Sequence, residues 1–305
     1  TGSPGVIPHI IRAATTLPFS RDDIALPESI HFPLTDGTMG HAFFYPPTNS
    51  RYSVPDGEKP PMIVTAHGGP TARANEGFSF KVQWWTSRGF SVLDVNYSGS
   101  TGFGRAYQQR LEGQWGVRDV EDCIAAAHFM ADSGRIDPKR IAIRGSSAGG
   151  MTVLSALAHS TIFAAGVSLY GVTDLRTLAE ETHKFEARYL DSLVGPWPEE
   201  ETIYRSRSPL FIADRIHAPV LFLQGLDDSV VPPEQARSMV AALHRNGVAA
   251  PLIEFSGEGH GFRGEETVKR AFQLELMFYG RVFGFAPADI SLSAADKTKL
   301  DNIRR

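Results

Sequence analysis

The stretch Arg140–Gly150, written RIAIRGSSAGG, places an apolar run directly before two adjacent serines and a set of glycines. With Ser147 at the centre, Gly145 and Gly149 fit the pattern G-x-S-x-G, whereas centring on Ser146 would put an arginine at a flanking position. Small residues are needed there because the end of a strand and the start of a helix nearly touch at such a turn. The stretch therefore predicts a strand, a sharp turn that presents Ser147, and a helix.

The same alternation of strand and helix patterns continues along the chain. Apolar segments of strand length lie at 41–45, 62–66, 90–95, 140–144, 164–169, 219–224 and 251–255. Segments with helical spacing lie at 79–88, 117–133, 148–159, 233–246 and 266–283. Continuous apolar strands that alternate with helices indicate a mostly parallel central sheet buried on both faces by helices. We therefore predict an α/β fold.

The length of 305 residues allows one large α/β domain, which we place at residues 31–288. Residues 1–30 are punctuated by proline and are expected to be an N-terminal arm or linker. Residues 171–215 interrupt the strand–helix rhythm with glycine, proline and charged residues, as a cap-like insertion above the sheet would. Residues 289–305 are polar and are expected to form a helical C-terminal tail.

Composition excludes several classes of function. A net charge of −4, from 34 acidic and 30 basic residues, gives no reason to expect a nucleic-acid partner. No apolar run reaches the 18 or so residues that span a bilayer. The lone Cys123 cannot form an internal disulfide, which fits a reducing compartment, and a cytoplasmic location is the expectation. The ten histidines form no metal-binding H-E-x-x-H pattern, and the glycines of GSTGFG at 99–104 do not have the dinucleotide-binding G-x-G-x-x-G spacing, so no metal or cofactor is predicted.

Two distant segments supply the residue types that a reactive serine needs. Residues 224–233, QGLDDSVVPP, bring Asp227 and Asp228 to the end of a predicted strand, and GEGHGF at 257–262 brings His260 to the end of another. A hydroxyl becomes a good nucleophile when an imidazole takes its proton, and a carboxylate orients and stabilises that imidazole. The order Ser, Asp, His along the chain is the order of α/β hydrolases. The sequence therefore predicts a triad of Ser147, His260 and one of the two aspartates.

Six motifs extend this pattern along the chain: HGGP at 67–70, NYSGSTGFG at 96–104, GQWGVRDVEDC at 113–123, GSSAGG at 145–150, GLDDSVVP at 225–232 and GEGHGF at 257–262. With them the chain resembles, over roughly residues 31–284, the prolyl oligopeptidase family of serine peptidases, and especially its acylaminoacyl-peptidase-like branch. The resemblance implies an α/β-hydrolase catalytic domain. It also implies that Asp228, three residues after Gly225 and three before Val231, is the carboxylate of the triad.

An acyl-transfer site also needs hydrogen-bond donors for the negative charge that develops on the substrate oxygen. The elbow geometry assigns one donor to the backbone N–H of Ala148, and the resemblance assigns a second to that of Gly69. Some relatives hold a tyrosine hydroxyl where His67 stands. We therefore expect His67 to have a supporting role at most, with a purely structural role as the alternative.

Two features separate this sequence from the family pattern. Members usually carry an N-terminal β-propeller, which residues 1–30 cannot form, so the chain is expected to be a catalytic fragment or to act without that gate. Many relatives also hold an arginine or asparagine at Val230 to bind a substrate carbonyl, and valine cannot make that hydrogen bond. Tyr170 and Trp197 are the other candidates for lining the substrate pocket. A homo-oligomer is a further expectation for the assembly.

These residues favour a serine hydrolase that cleaves short or N-acylated peptides through an acyl-enzyme. The alternative is a carboxylesterase or amidase that acts on small esters with the same triad. A minor alternative, from a different class, is a non-catalytic interaction protein with a hydrolase fold. Such proteins usually lose a triad residue, whereas this sequence retains all three residue types.

Overall fold

A computed structural model describes residues 11–12, 17, 19–181, 188–301 and 303 of the chain. Within them, an eight-stranded sheet has the order β1-β2-β4-β3-β5-β6-β7-β8. The strands are β1 Glu28–Pro33, β2 Met39–Tyr45, β3 Met62–Ala66, β4 Ser91–Asn96, β5 Ile141–Ser146, β6 Ala165–Leu169, β7 Val220–Gly225 and β8 Leu252–Phe255. Strands β3 to β8 are parallel, whereas β1 and β2 run antiparallel to their neighbours. The predicted mostly parallel sheet is confirmed.

Helices cover both faces of this sheet. They are α1 Phe80–Thr86, α2 Arg105–Gln109, α3 Arg118–Asp132, α4 Ala148–His159, α5 Leu175–Glu181, α6 Tyr189–Leu193, α7 Glu201–Arg207, α8 Pro233–Arg245, α9 Glu265–Phe283 and α10 Ala294–Leu300, with 3₁₀ turns at Arg21–Asp23 and Pro209–Arg215. Side chains of α3, α4 and α8 pack on one face, together with Ile141 and Ile143 of β5. Side chains of α1 and α9 pack on the other face, where Ala142 points. The alternation along β5 shows why its residues are apolar on both sides.

The region between β6 and β7 covers the carboxyl end of the sheet. Its 3₁₀ turn packs against α4 and α8, and its helix α6 receives hydrogen bonds from an earlier loop. The carbonyl of Ser192 accepts from the amide of Gly113 at 2.8 Å, and that of Leu193 accepts from the amide of Trp115 at 3.0 Å. This segment lies where the cap-like insertion at 171–215 is expected, although residues 182–187 of that range lie outside the described residues.

The two ends of the chain take a larger part in the domain than the sequence suggests. Residues 28–30, expected in an arm or linker, form the start of β1 at the edge of the sheet. The expected polar tail contains α10, whose Leu300 is fully buried and whose Asp296 accepts two hydrogen bonds from Arg270 of α9. Among the described helices, none is long and apolar enough to cross a membrane.

Candidate active site

Ser147 stands in the sharp turn between β5 and α4. Its backbone has φ 56° and ψ −121°, a conformation that residues other than glycine rarely adopt. Holding a residue in such a conformation costs roughly 1–3 kcal/mol. A Cβ atom on Gly145 would lie 2.3 Å from the carbonyl oxygen of Gly149, and one on Gly149 would lie 2.2 Å from that of Ala66. The first contact is the strand–helix approach that the sequence predicts. The second comes from the neighbouring strand β3, which the pattern alone does not reveal.

The three predicted triad residues meet at the carboxyl end of the sheet. The Nε2 atom of His260 lies 2.8 Å from the Oγ atom of Ser147, and its Nδ1 atom lies 2.9 Å from the Oδ2 atom of Asp228. Because a carboxylate oxygen only accepts, Nδ1 carries the proton and Nε2 is free to accept the proton of the serine hydroxyl. The arrangement is therefore suited to deprotonating Ser147.

Asp228, and not Asp227, is held in the orientation that this network needs. The Asp228 side chain is fully buried, and its Oδ1 atom accepts hydrogen bonds from the amides of Val230 and Val231, both at 2.9 Å. Asp227 is exposed and contributes only its backbone amide, which donates to the carbonyl of Glu258 at 2.9 Å. The geometry thus agrees with the choice that the family resemblance implies.

The loop that carries His260 is braced by a buried carboxylate and by a close approach to β7. The Glu258 side chain accepts hydrogen bonds from the amides of Arg263 at 2.8 Å and Gly264 at 2.9 Å, and hydrogen bonding to the Arg263 amide is the main cause that lowers the pKa of Glu258. A Cβ atom on Gly225 would lie 2.4 Å from the carbonyl oxygen of Glu258. Glycine at the end of β7 therefore lets the histidine loop lie directly against the strand.

The two amides expected to bind a developing oxyanion lie beside Ser147. Gly69, with φ 63°, and Ala148, the first residue of α4, border the same cavity as Ser147. Within the described part of the chain, neither amide donates to a protein acceptor. The HGGP loop reaches this position because Gly68 is small, since a Cβ atom there would lie 2.9 Å from the carbonyl oxygen of Ser146.

His67 supports this loop and does not border the cavity. Its Nδ1 atom lies 3.2 Å from the carbonyl oxygen of Gly68, its Nε2 atom lies 2.8 Å from the Ser100 hydroxyl, and its ring stacks on Tyr97 at 4.1 Å. Burial lowers the pKa of His67 to about 4, so the ring is neutral at ordinary pH. Nδ1 then donates to the Gly68 carbonyl, and Nε2 accepts from Ser100. These contacts assign His67 a structural part in holding the HGGP loop.

The cavity beside Ser147 has a volume of about 500 Å³ and is mainly apolar. Among the described residues that line it, the catalytic histidine is the one group that can be a cation, and none is a carboxylate. The apolar lining includes Trp115, Val172, Leu178, Leu190, Val230 and Val231, and Tyr189 and Thr71 add hydroxyls. A larger cavity, of about 950 Å³, lies at the amino ends of the parallel strands and includes none of the triad residues. The smaller cavity is therefore the candidate substrate site.

The structure places the three residues predicted to contact substrate, Val230, Tyr170 and Trp197, in different surroundings. Val230 borders the cavity as expected. Tyr170 is not among the residues that line it, and its ring lies against the imidazole of His260, with 5.0 Å between ring centroids. Trp197 packs on Tyr204, also at 5.0 Å, and borders a separate cavity of about 240 Å³. Tyr170 and Trp197 are thus not among the described residues that line the cavity, because a position just beyond a strand, for Tyr170, or within the inserted region, for Trp197, does not determine where a side chain points.

Sequence reasoning missed the two aromatic residues that do border the cavity. Trp115 lies in the GQWG segment and Tyr189 begins α6, and the Tyr189 hydroxyl lies 2.7 Å from the Thr71 hydroxyl across the cavity wall. Arg207 holds the Trp115 segment by donating to the carbonyls of Trp115 and Gly113. The GQWG motif was a signal for Trp115, whereas nothing local in the sequence marks Tyr189.

A serine at a sharp turn after β5, a carboxylate after β7 and a histidine after β8 of a mostly parallel sheet define an α/β hydrolase. Residues 76–286 match the model of the prolyl oligopeptidase family, and the chain belongs to that family of serine peptidases. The family resemblance and the fold predicted from the sequence are thus confirmed.

Known relatives include peptidases from several kingdoms. A puromycin-hydrolyzing peptidase of Mycobacterium tuberculosis is 47% identical, with a TM-score of 0.87 over 89% of this chain and 41% of its own. Dipeptidyl peptidase family member 6 of Caenorhabditis elegans is 35% identical over 69% of this chain and 31% of its own length. The acylamino-acid-releasing enzyme of Arabidopsis thaliana is 30% identical over 73% and 30%, respectively. The chain thus spans about a third of the length of the curated relatives that it matches.

Proposed function

We propose that the chain carries the catalytic centre of a serine peptidase that cleaves amide bonds through an acyl-enzyme. The observation that carries the proposal is the unbroken hydrogen-bond path from Ser147 through His260 to Asp228, at 2.8 and 2.9 Å. The strained backbone of Ser147 adds support, because strain of this kind is retained at functional sites.

The proposed reaction begins when the Oγ atom of Ser147 attacks the substrate carbonyl carbon and His260 Nε2 takes the serine proton. The amides of Ala148 and Gly69 bind the oxyanion, and each such donor typically contributes about 3–4 kcal/mol to transition-state stabilisation. His260 then gives its proton to the leaving nitrogen as the carbon–nitrogen bond breaks. Water, deprotonated by His260, attacks the acyl-enzyme and releases the acid and the free serine.

The cavity supports an uncharged, apolar group on the acyl side of the cleaved bond. Its lining offers aromatic and aliphatic surface from Trp115, Leu178 and Val231, and among the described lining residues no charged side chain other than His260 would offset the cost of burying a charge. A volume of about 500 Å³ accommodates an aromatic side chain. Puromycin, an amide of an aromatic amino acid, is therefore a suitable assay substrate besides N-acylated aromatic and aliphatic peptides.

Replacement of the triad carboxylate tests the proposal. Asp228→Asn should reduce kcat for an N-acyl-phenylalanine p-nitroanilide about 10⁴-fold, because the amide no longer fixes the reactive tautomer of His260. Asp227→Asn is the matched control, since Asp227 is exposed and uses only its backbone amide. Equal losses in the two variants, or full activity in Asp228→Asn, would contradict the assignment.

Ester hydrolysis is the second candidate, and Val230 favours it. The Val230 side chain borders the cavity without a hydrogen-bonding group, and its amide is already used by Asp228. The site therefore lacks, at this position, a donor for a second carbonyl of a peptide substrate. Turnover of p-nitrophenyl esters with no turnover of the matching anilides would select the esterase.

The wider organisation remains a proposal. We propose residues 31–288 as the core of the catalytic domain, a longer protein with an N-terminal β-propeller or a homo-oligomer as its context, and a cytoplasmic location. The share of about a third of the curated relatives' length supports the first of these contexts. Size-exclusion chromatography with light scattering on the native protein would distinguish the longer chain from the oligomer.

A further inference from the structure

Tyr170 stands in an unusual turn directly after β6. Its φ of 38° lies in the region that favours glycine, and among the described non-glycine residues it shares this property only with Ser147. The turn is tied to the next strand because the Tyr170 amide donates to the carbonyl of Leu223 at 2.8 Å. A strained residue of this kind costs roughly 1–3 kcal/mol and persists where the surrounding structure requires it.

The Tyr170 ring forms one end of an aromatic row that borders the catalytic histidine. Its centroid lies 5.0 Å from that of the His260 imidazole at an interplanar angle of 68°, and 5.2 Å from that of Phe262 at 83°. Phe262 in turn packs on Phe255 of β8 at 4.8 Å. Edge-to-face contacts in this distance range are attractive beyond the area they bury. The row therefore connects the end of the sheet to the imidazole.

The histidine loop needs such a wall, because its backbone is glycine-rich. Gly257 has φ 77° and Gly261 has φ 103°, on either side of His260, and Gly259 precedes it directly. Glycine restricts the backbone less than any other residue, so these positions do not themselves confine the ring. Asp228 and Ser147 bind the two ring nitrogens, and the Tyr170 ring closes a further side of the imidazole.

The Tyr170 phenol stays neutral and lies near a buried ion pair. Burial raises the pKa of the Tyr170 phenol, against the opposing effects of the Ser146 hydroxyl and the Arg144 charge, so the phenol keeps its proton near neutral pH. Arg144 itself is paired with buried Glu275 through hydrogen bonds of 2.9 and 3.0 Å. The charged groups around the imidazole and this ring are Asp228, Arg144 and Glu275, with Glu258 and Arg263 on the histidine loop itself.

We propose that Tyr170 is a positioning residue that holds the His260 imidazole in line between Asp228 and Ser147. The inference rests on the proposed function, since it concerns the base of the same reaction. It assigns Tyr170 to the rate of the chemical step and not to substrate affinity, because the ring lies outside the cavity lining. A substrate-contacting role, as the sequence suggests, would instead affect KM.

Two substitutions distinguish these roles. Tyr170→Leu removes the aromatic wall and should lower kcat on the order of 10-fold to 100-fold, as small misplacements of catalytic groups do, while KM changes by less than about twofold. Tyr170→Phe keeps the ring and should retain kcat within about threefold. Phe272→Leu is the matched control, since it removes a partly buried ring that packs on Trp84 and Trp85 on the same face of the sheet.

A proton NMR measurement separates this inference from the proposed function, because it needs no turnover. The proton that His260 donates to Asp228 should give a downfield resonance, absent in His260→Ala, that is sharp in wild type and Tyr170→Phe and broadened or lost in Tyr170→Leu. A sharp resonance and unchanged kcat in Tyr170→Leu would overturn the positioning role, as would a raised KM at constant kcat. The expected resonances in a protein that hydrolyses nothing would retain the positioning role and remove the proposed function.

Discussion

The turns at Ser147 and Tyr170 have the same backbone peculiarity but differ in how the chain encodes them. Both are non-glycine residues with positive φ at the carboxyl end of a parallel strand, and the Ser147 amide donates to the carbonyl of Leu169, the residue before Tyr170. Glycines flank Ser147 because backbone passes within reach on two sides. Only Gly171 follows Tyr170. The comparison shows that a nucleophile can be located in the sequence from the glycines that close backbone contacts require around it. The residues that support the nucleophile leave no such pattern and are found only in the structure.

The two turns also touch each other. A Cβ atom on Gly150, in the first turn of α4, would lie 2.5 Å from the Cα atom of Gly171. The third glycine of GSSAGG is thus explained by the Tyr170 turn and not by the elbow. The elbow, the oxyanion donor at Ala148 and the wall of the histidine form one tightly packed unit.

The largest expected effect separates the paired serines at the first turn. Ser147→Ala should lower kcat about 10⁵-fold or more, since the residual activity of such variants comes from binding and oxyanion stabilisation alone. Ser146→Ala should stay within a few-fold of wild type, because Ser146 touches neither ring nitrogen of His260. Steady-state kinetics on one anilide substrate checks both, and the reverse ranking would show that the elbow is centred on the wrong serine.

The next largest effect tests the close backbone contacts at Gly149 and Gly150, which differ between the two turns. Gly149→Ala should destabilise the fold by roughly 2–4 kcal/mol and inactivate it, because the new methyl group would meet the backbone of β3 at Ala66. Gly150→Ala should cost less, about 1–3 kcal/mol, because its new methyl group would lie 2.5 Å from the Gly171 Cα atom, a less severe approach than the 2.2 Å at Gly149. Chemical denaturation provides the free energies of unfolding. A Gly149→Ala protein with native stability and activity would show that the β3 contact is not rigid.

A change in the cavity wall leaves both turns intact and should alter selectivity alone. Trp115→Ala enlarges the apolar cavity and should lower kcat/KM for phenylalanine anilides about 10-fold to 100-fold, as expected for losing apolar contact with the substrate. The rate of acylation by a small acetyl ester should change much less, because the triad is untouched. Equal losses on both substrates would indicate that Trp115 supports the elbow and not the substrate.

The smallest effect concerns a carboxyl on β4 behind the elbow. Burial raises the pKa of Asp94 to about 7, against the opposing charge of Arg144. The folded state therefore holds the proton more tightly than the unfolded state, and the stability linked to this group is lost as pH rises from about 4 to 7. Asp94→Asn should raise the free energy of unfolding at pH 8 by roughly 1–3 kcal/mol and change it little at pH 4. Thermal unfolding at several pH values checks this, and a pH-independent difference would contradict it.

Much of the fold follows from the sequence, because buried parallel strands are continuous apolar runs. The predicted strand at 62–66 coincides with β3, and the helix at 148–159 coincides with α4. The strand β1 was missed because its sequence, ESIHFP, lies at the sheet edge with one fully buried residue, and its pairing with β2 is a tertiary event. The edge strand therefore has no periodicity strong enough to detect.

The residues of the active site likewise fall into those that the sequence predicts and those that only the structure reveals. Ser147, Asp228 and His260 could be predicted because each lies in a glycine-bearing turn with a local steric cause. Tyr189 could not, because it reaches the cavity from a separate segment. The Tyr170 ring lies against His260 after a turn with positive φ, and its position beyond a strand does not predict this orientation. Local crowding is visible in sequence, whereas the direction of a side chain after a strained turn is not.

The central claim, that the strained serine is the nucleophile, is tested most directly by covalent labelling with a fluorophosphonate probe. Intact-mass and peptide mapping should show one adduct per chain, located on Ser147, absent in Ser147→Ala and formed much more slowly in His260→Ala. The Ser146→Ala protein should label as wild type does. An enzyme that hydrolyses its substrate yet stays unlabelled, or carries the adduct on another residue, would contradict the account.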